Sequence, residues 1–137
     1  MQVKDVMAPS AQWIGPETTI AEAAVQMRDQ DIGFLPIGDG GRLIGTITDR
    51  DIVIRGVARG CDPSQTTVAE IMSEKVLYCF EDQLVEDIAR NMGELTVRRL
   101  PVVNRDKRLV GIVSLGDLAR YASESAANEA LSEIASG

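Results

Sequence analysis

Gly45-Thr46-Ile47-Thr48-Asp49-Arg50-Asp51-Ile52 has a second form in this chain, Gly111-Ile112-Val113-Ser114-Leu115-Gly116-Asp117-Leu118. Each copy is a glycine, a short β-prone run, a hydroxyl residue, two variable positions, an aspartate and an aliphatic residue. Outward from this pair the whole chain aligns with itself. Arg42-Leu43-Ile44-Gly45 matches Arg108-Leu109-Val110-Gly111 at the same offset of 66. Further upstream the offset is 65. It pairs Val3-Lys4-Asp5-Val6-Met7 with Val68-Ala69-Glu70-Ile71-Met72, and Leu35-Pro36-Ile37 with Leu100-Pro101-Val102. Trp13 pairs with Tyr78, Ile20 with Val85, Ala24 with Ala89 and Met27 with Met92. One residue added to the second copy accounts for the step. The internal repeat assigns residues 3–60 to a first copy, 61–67 to a linker, 68–121 to a second copy and 122–137 to a tail.

Both copies carry the same succession of patterns. Ile20, Ala24 and Met27, like Val85, Ala89 and Met92, recur at i, i+4, i+7, the stripe of a helix with one buried face. Met27 and Met92 read there as core filler. Thr19 followed by Glu22 is a capping-box start for the first of these helices. A short apolar run follows (Phe34 to Ile37, Leu100 to Val103), then a turn, then a β-branched run (Leu43 to Thr48, Leu109 to Ser114). A second helix opens after Thr48 or Ser114. In the first copy it carries Ile52, Val53 and Val57 on its apolar side and ends at Gly60 and Pro63. The expected order is strand, helix, strand, strand, helix in an α+β unit. One such unit is marginal alone, so two are expected to pack together.

Composition excludes much chemistry. The 137 residues hold 45% apolar and 26% charged side chains, as a globular protein does. The net charge of −7 argues against a sequence-independent nucleic-acid binder, which needs a basic face. There is no histidine, so Ser-His-Asp and Cys-His nucleophile systems, histidine metal sites and histidine pH switches are ruled out. Cys61 and Cys79 are too few for a zinc quartet. They read as buried or idle thiols in a reducing compartment, or as a redox-sensitive pair or intersubunit bridge. No apolar run approaches the ~20 residues of a membrane helix, and the N-terminal stretch lacks a signal-peptide core. A cytoplasmic protein is expected.

The repeated Gly-to-Asp motif has two readings. A hydroxyl at a strand end with Asp at the third position is an N-cap with an acidic N3, favoured by the helix dipole. The same geometry suits a ligand: amides at a helix start and a Thr or Ser hydroxyl donate to phosphate, and the Asp accepts from ribose hydroxyls.

Taken together and in order, the Asp5-Val6-Met7 and Glu70-Ile71-Met72 openings, the two Leu-Pro strands and the two Gly-to-Asp motifs identify a resemblance. Residues 3 to about 121 resemble a tandem pair of cystathionine β-synthase (CBS) domains, a regulatory module of two repeats related by pseudo-two-fold symmetry. The stand-alone length, Thr48-Asp49-Arg50-Asp51-Ile52-Val53-Ile54 and Cys61-Asp62-Pro63 resemble small two-repeat bacterial proteins of the hypoxic-response type. No base or metal constellation is visible in the sequence, so no catalysis, no covalent cofactor and no metal are expected. The resemblance implies binding of an adenosyl compound in clefts between repeats: AMP, ADP or ATP, with NAD or S-adenosylmethionine as further options. It places Asp51 and Asp117 on the ribose, and Thr48 and Ser114 beside ribose and phosphate. Arg50, Arg98 and Arg99 fall on the phosphate side, and Trp13, Ile14, Tyr78 and Cys79 at the adenine pocket.

Five of the 14 basic residues, Arg98, Arg99, Arg105, Lys107 and Arg108, lie within 11 positions. The last three sit in or beside a turn and read as a solvated hairpin. Arg98 and Arg99 precede a strand and are the better anion ligands. They correspond to Gly33 and Phe34 in the first copy, and Asp49-Arg50 correspond to Leu115-Gly116, so the two copies differ at the site.

The expected function is a regulatory adenosyl-ligand sensor that works by conformation or partner affinity. It would act through an output protein that the sequence does not identify. The alternative is a structural dimerisation or interaction protein with empty clefts. Neither nucleic acid nor membrane is an expected partner, and a homodimer is. Ala122, Ala126, Ala127, Ala130, Leu131 and Ile134 in the tail form either a narrow packing face or a frayed helix.

Overall fold

The computed structural model describes residues 1–9, 13–95, 98–121 and 134. The proposed packing face of the tail otherwise lies outside these residues. In chain order the elements are β1 (Ala8–Pro9), α1 (Ile20–Gln30), β2 (Phe34–Asp39), β3 (Arg42–Thr48) and α2 (Asp49–Asp51). A π-helical stretch, Ile52–Val57, continues α2. Then come α3 (Val68–Ile71), β4 (Cys79–Phe80), α4 (Val85–Leu95), β5 (Arg99–Val103), β6 (Leu109–Ser114) and α5 (Leu115–Tyr121). The architecture is α+β, as the sequence predicts.

The chain divides into two compact units, one of Met1–Ala11 with Leu77–Gly137 and the other of Gln12–Val76. This division by contacts differs from the division by sequence copies. The opening of the first copy packs in the unit built from the second copy, and the reverse also holds.

In the unit built on the second copy, the sheet order is β1-β6-β5-β4. Strand β1 runs antiparallel to β6 with Ala8 opposite Ile112, and β4 runs parallel to β5 with Cys79 opposite Val102. In the other unit β2 and β3 form the sheet. Their outer neighbours are single bridges, Thr46 to Ser73 (antiparallel) and Ile14 to Ile37 (parallel), at the corresponding positions. The first strand predicted in the first copy is therefore reduced to one bridge at Ile14.

Backbone hydrogen bonds repeat the exchange in both units. Val3 N–H donates to Gln83 O at 2.9 Å, and Val68 N–H donates to Thr18 O at 2.8 Å. Val85 N–H donates to Met1 O at 3.0 Å, and Ile20 N–H donates to Thr66 O at 2.9 Å.

The copies differ in their hairpins. Gly40 and Gly41 have φ of 61° and 83°, which suits a tight two-residue turn with both central residues left-handed. In the second copy Asn104 N–H donates to Arg108 O, leaving three residues between, of which Lys107 takes φ 61°. That is the added residue.

Each unit has its own core. Val3, Val85, Ile88, Ala89, Met92, Leu100, Val102, Val113 and Leu118 are buried in one. Ile20, Ala23, Met27, Leu35, Ile37, Ile47, Val68 and Ile71 are buried in the other. The stripe on α1 thus runs through Ala23, while Ala24 is exposed. A larger departure is the helix after Thr48. Val53 and Val57 are 55% and 63% exposed, and only Ile52 of the three residues assigned to its apolar side packs on the core. The five-residue hydrogen-bond step of a π-helix changes the angle between successive side chains, so the α-helical period misplaces them. Gly56 faces the core there, and a Cβ on it would lie 3.3 Å from Ile20 Cδ1.

Candidate functional site

The ends of β3 and β6 deliver Thr48 and Ser114 to the starts of α2 and α5. Asp51 N–H donates to Thr48 Oγ1 at 3.1 Å, and Thr48 N–H donates to Asp51 Oδ2 at 2.9 Å. Asp117 N–H donates to Ser114 Oγ at 3.0 Å, and Ser114 N–H donates to Asp117 Oδ2 at 3.2 Å. Both motifs are reciprocal capping boxes, so the capping reading is realised in each copy. One oxygen of each carboxylate is used in this way. The other oxygen of Asp51 lies 4.0 Å from Arg55 Nε, and its side chain is only 20% exposed.

Leu115 N–H donates to Arg98 O at 2.8 Å, tying the residue before β5 to the start of α5. Arg98, Arg99, Ser114, Leu115 and Gly116 thereby meet at one cleft of about 530 Å³, which Ala119 and Ile134 also line. The structure brings together here three of the residues that the sequence singles out. Sequence reasoning missed Leu115, Gly116, Ala119 and Ile134; the first three sit on the motif helix, so its period was the available signal.

The first copy repeats the tie, with Asp49 N–H donating to Gly33 O at 3.1 Å. The cavity at the corresponding place is smaller, about 340 Å³, and is lined by Asp49, Arg50, Val53 and Ile54. Tyr78 and Cys79 line a different cavity of about 210 Å³, with Gln83, Ile88, Asn91, Glu94 and Leu100. Ile14 is buried in its unit's core, while Trp13 is 39% exposed with its ring beside Gly38.

The hairpin reading fits Arg105. Its guanidinium donates twice to Asp82, at 2.9 and 2.7 Å, and lies 4.1 Å from the centroid of the Phe80 ring. Tyr78 meets Phe80 edge to face with centroids 5.7 Å apart. Arg105 holds the Asp82 carboxyl below its ordinary range, and Asp82 raises Arg105 in return. Burial pushes the Cys79 thiol up to about 12, so it stays protonated and unreactive at neutral pH. Both cysteines are free thiols, Cys61 being half-buried. Among the described residues no group of three or more Cys, Asp or Glu side chains is placed to hold a metal ion. Among the same residues no helix is long and apolar enough to cross a membrane.

Comparison with known proteins places this geometry in a family. The family model described as "CBS domain" matches residues 3–56 and again 68–124. Hypoxic response protein 1 of Mycobacterium tuberculosis is 42% identical over 124 residues, covering 90% of this chain and 86% of that protein. The CBS domain-containing protein YhcV of Bacillus subtilis is 41% identical, covering 96% of this chain and 94% of its own length. Among solved structures, Hypoxic Response Protein I with two coordinated zinc ions matches with TM-score 0.80 and 41% identity, covering 88% of this chain and 98% of that one. CBSX2 in complex with AMP matches with TM-score 0.74 and 27% identity, covering 87% and 93%. The CBS domain pair of protein MJ0100, in complex with 5′-methylthioadenosine and S-adenosyl-L-methionine, matches with TM-score 0.72 and 33% identity, covering 88% and 94%. Two matched repeats, two capping-box motifs at one offset and full-length relatives above 40% identity lead to one conclusion: the chain belongs to the CBS domain family.

Proposed function

We propose that this chain is a regulatory module that binds an adenosyl ligand and reports its level through conformation or partner affinity, with no reaction of its own. The observation that carries the reading is the cleft of the second repeat. Two arginines, a hydroxyl residue and apolar residues line a cleft of about 530 Å³, within the roughly 300–1,000 Å³ typical of small-molecule sites. Arg98 and Arg99 suit phosphate, Arg above all through paired donors. Ser114 Oγ suits ribose or phosphate; Asp117 is not among the residues lining the cleft, and we assign its second oxygen to a ribose hydroxyl while Oδ2 holds the cap. Thr48 and Asp51 are the first-repeat counterparts of Ser114 and Asp117, with Arg50 in place of Gly116. Trp13, Ile14, Tyr78 and Cys79, assigned to the adenine side by the family resemblance, are not among the described residues lining the second-repeat cleft. Solved relatives in complex with AMP and with methylthioadenosine and S-adenosylmethionine support the ligand class.

A second reading, a dimerisation or interaction protein with empty clefts, is favoured by the capping boxes, which give both motif aspartates a structural task. Thermal unfolding with AMP, ADP, ATP, NAD and S-adenosylmethionine separates the two. Ligand at 100 times its dissociation constant adds about 2.7 kcal/mol of stability. Arg99→Ala removes that gain, and so does Asp117→Asn, which keeps an acceptor for the cap. No shift with any of the five compounds selects the second reading. A cytoplasmic homodimer is part of the proposal, and a light-scattering mass of one chain at micromolar concentration would overturn that part.

A further inference from the structure

The two repeats form a cavity at the same place, but they dress it with different charge. Asp49, Arg50 and Val53 of one cavity are the counterparts of Leu115, Gly116 and Ala119 of the other. Among the described residues, the lining of the second-repeat cleft has Arg98 and Arg99 and no carboxylate. At the position of Arg98 the first repeat has Gly33, and the Asp49 carboxylate occupies the space above it. A Cβ built on Gly33 would lie 2.7 Å from Asp49 Oδ2 and 2.9 Å from Cγ. The carboxylate is held in place by Arg50 N–H, which donates to Asp49 Oδ1 at 2.8 Å. Where one copy offers two cations to an anion, the other offers one cation beside an acid.

From this contrast we infer that the two clefts differ in ligand class: the second-repeat cleft takes a phosphate-bearing nucleotide, and Asp49 bars phosphate from the first-repeat cleft. The inference rests on the reading of the second-repeat cleft as a nucleotide site. The chain then binds one equivalent of a nucleotide such as AMP, not two, although the fold presents two equivalent places. A unit negative charge at contact distance from another weakens association roughly five- to tenfold in water-like surroundings, and a phosphate carries nearly two charges. The loss of two arginine contacts acts in the same direction, each charged hydrogen bond being worth about a tenfold change in affinity or more. The first-repeat cavity remains open to an adenosyl compound without phosphate, with Val53 and Ile54 as its apolar wall.

The test is isothermal titration of the intact chain with AMP. The expected result is one binding event per chain, weakened at least a hundredfold in Arg98→Ala/Arg99→Ala. Asp49→Asn keeps the shape of the side chain and removes its charge. It should leave the first event unchanged and reveal a second, weaker one, which Arg50→Ala on that background removes. Coincident urea midpoints for wild type and variants would show that each remains folded. Two equal events in wild type would overturn this inference and leave the nucleotide reading standing. So would a single event that persists without Arg98 and Arg99, or an Asp49→Asn chain that still binds only one AMP. Wild type that binds none of AMP, ADP, ATP, NAD, S-adenosylmethionine or adenosine would overturn both.

Discussion

The exchange of openings between the two units sets up a test at two glycines that the sequence treats as equivalent. Gly45 and Gly111 occupy the same motif position, yet a methyl group added to each meets different atoms. On Gly111 it would lie 2.5 Å from the carbonyl oxygen of Ala8, 2.8 Å from Met7 Sδ and 3.2 Å from Met7 Cγ. On Gly45 it would lie 2.5 Å from Met72 Sδ, 3.0 Å from Ser73 O and 3.2 Å from Met72 Cγ. A thioether can turn away; a strand carbonyl paired in β1 cannot do so without breaking the Ala8–Ile112 register. Both Gly→Ala changes overpack a tight contact, a class of change that costs about 1–3 kcal/mol. Gly111→Ala should fall at the upper end and Gly45→Ala at the lower. Urea unfolding of the single variants and of Gly45→Ala/Met72→Ala and Gly111→Ala/Met7→Ala would measure this as two double-mutant cycles. Trimming Met72 should recover most of the loss at Gly45, while trimming Met7 recovers only a minor part at Gly111. Gly116→Ala is the control: its Cβ would meet nothing closer than Ser114 Oγ at 3.7 Å, so the helical substitution should be neutral or stabilise by up to about 1 kcal/mol. Equal recovery in the two cycles, or Gly111→Ala within about 0.5 kcal/mol of wild type, would refute the reasoning.

Other outcomes follow from the same contacts. The fragment Gln12–Val76 should show more helix by circular dichroism than residues 3–60, because the latter lacks Val68 and Ile71 of its core, each worth about 1.5–3 kcal/mol when buried. Equal helicity would contradict the exchange. Asp82 titrates below its ordinary value because Arg105 binds its charged form. Its contribution to stability is therefore present above the unfolded carboxyl's pKa of about 3.9 and disappears as pH falls through the lowered folded value. The stability difference between wild type and Asp82→Asn, measured in urea, should shrink as the pH falls below the unfolded carboxyl's value of about 3.9; a difference that stays constant through that fall would sink the assignment. In the native protein a thiol reagent should modify half-buried Cys61 before buried Cys79. Cys79 labelling at the faster rate would contradict the burial.

Much of the fold was legible because a repeat supplies two independent readings of each pattern. The helix stripes, the Leu-Pro strands and both hairpins were visible in this way, and the single added residue was traceable to the second hairpin. The failures have local physical causes. The i, i+4 and i, i+3 rows of α1 both offer an alanine, Ala24 or Ala23, and composition does not distinguish them. An α-helical period places Val53 and Val57 inward, and the π-helical stretch does not follow that period. Arg98, Arg99 and Ser114, which charge and motif single out, line one cleft. Asp49 reads in the sequence as an acid at a helix start, an ordinary stabilising choice; its approach to Gly33 has no trace there.

The exchange of openings was not legible, and the reason is instructive. Val3 and Val68 match each other in sequence, which suggests that each belongs to the copy it introduces. The bonds that assign them elsewhere are made by backbone groups, from Val3 N–H to Gln83 O and from Val68 N–H to Thr18 O. Such bonds leave no side-chain signature. Their trace in the sequence is indirect: a glycine in each motif, Gly45 or Gly111, where the methionine of the opposite copy's opening arrives. The glycine that begins each motif is thus explained by packing against the other repeat, and the hydroxyl and aspartate that end it by the cap of its own helix. Both ends of the motif have a structural reason before any ligand is considered. What those reasons leave unexplained in the second repeat is the pair Arg98 and Arg99 at a cleft with no carboxylate among its described lining residues, in a chain of net charge −7, and it is on that remainder that the functional reading rests.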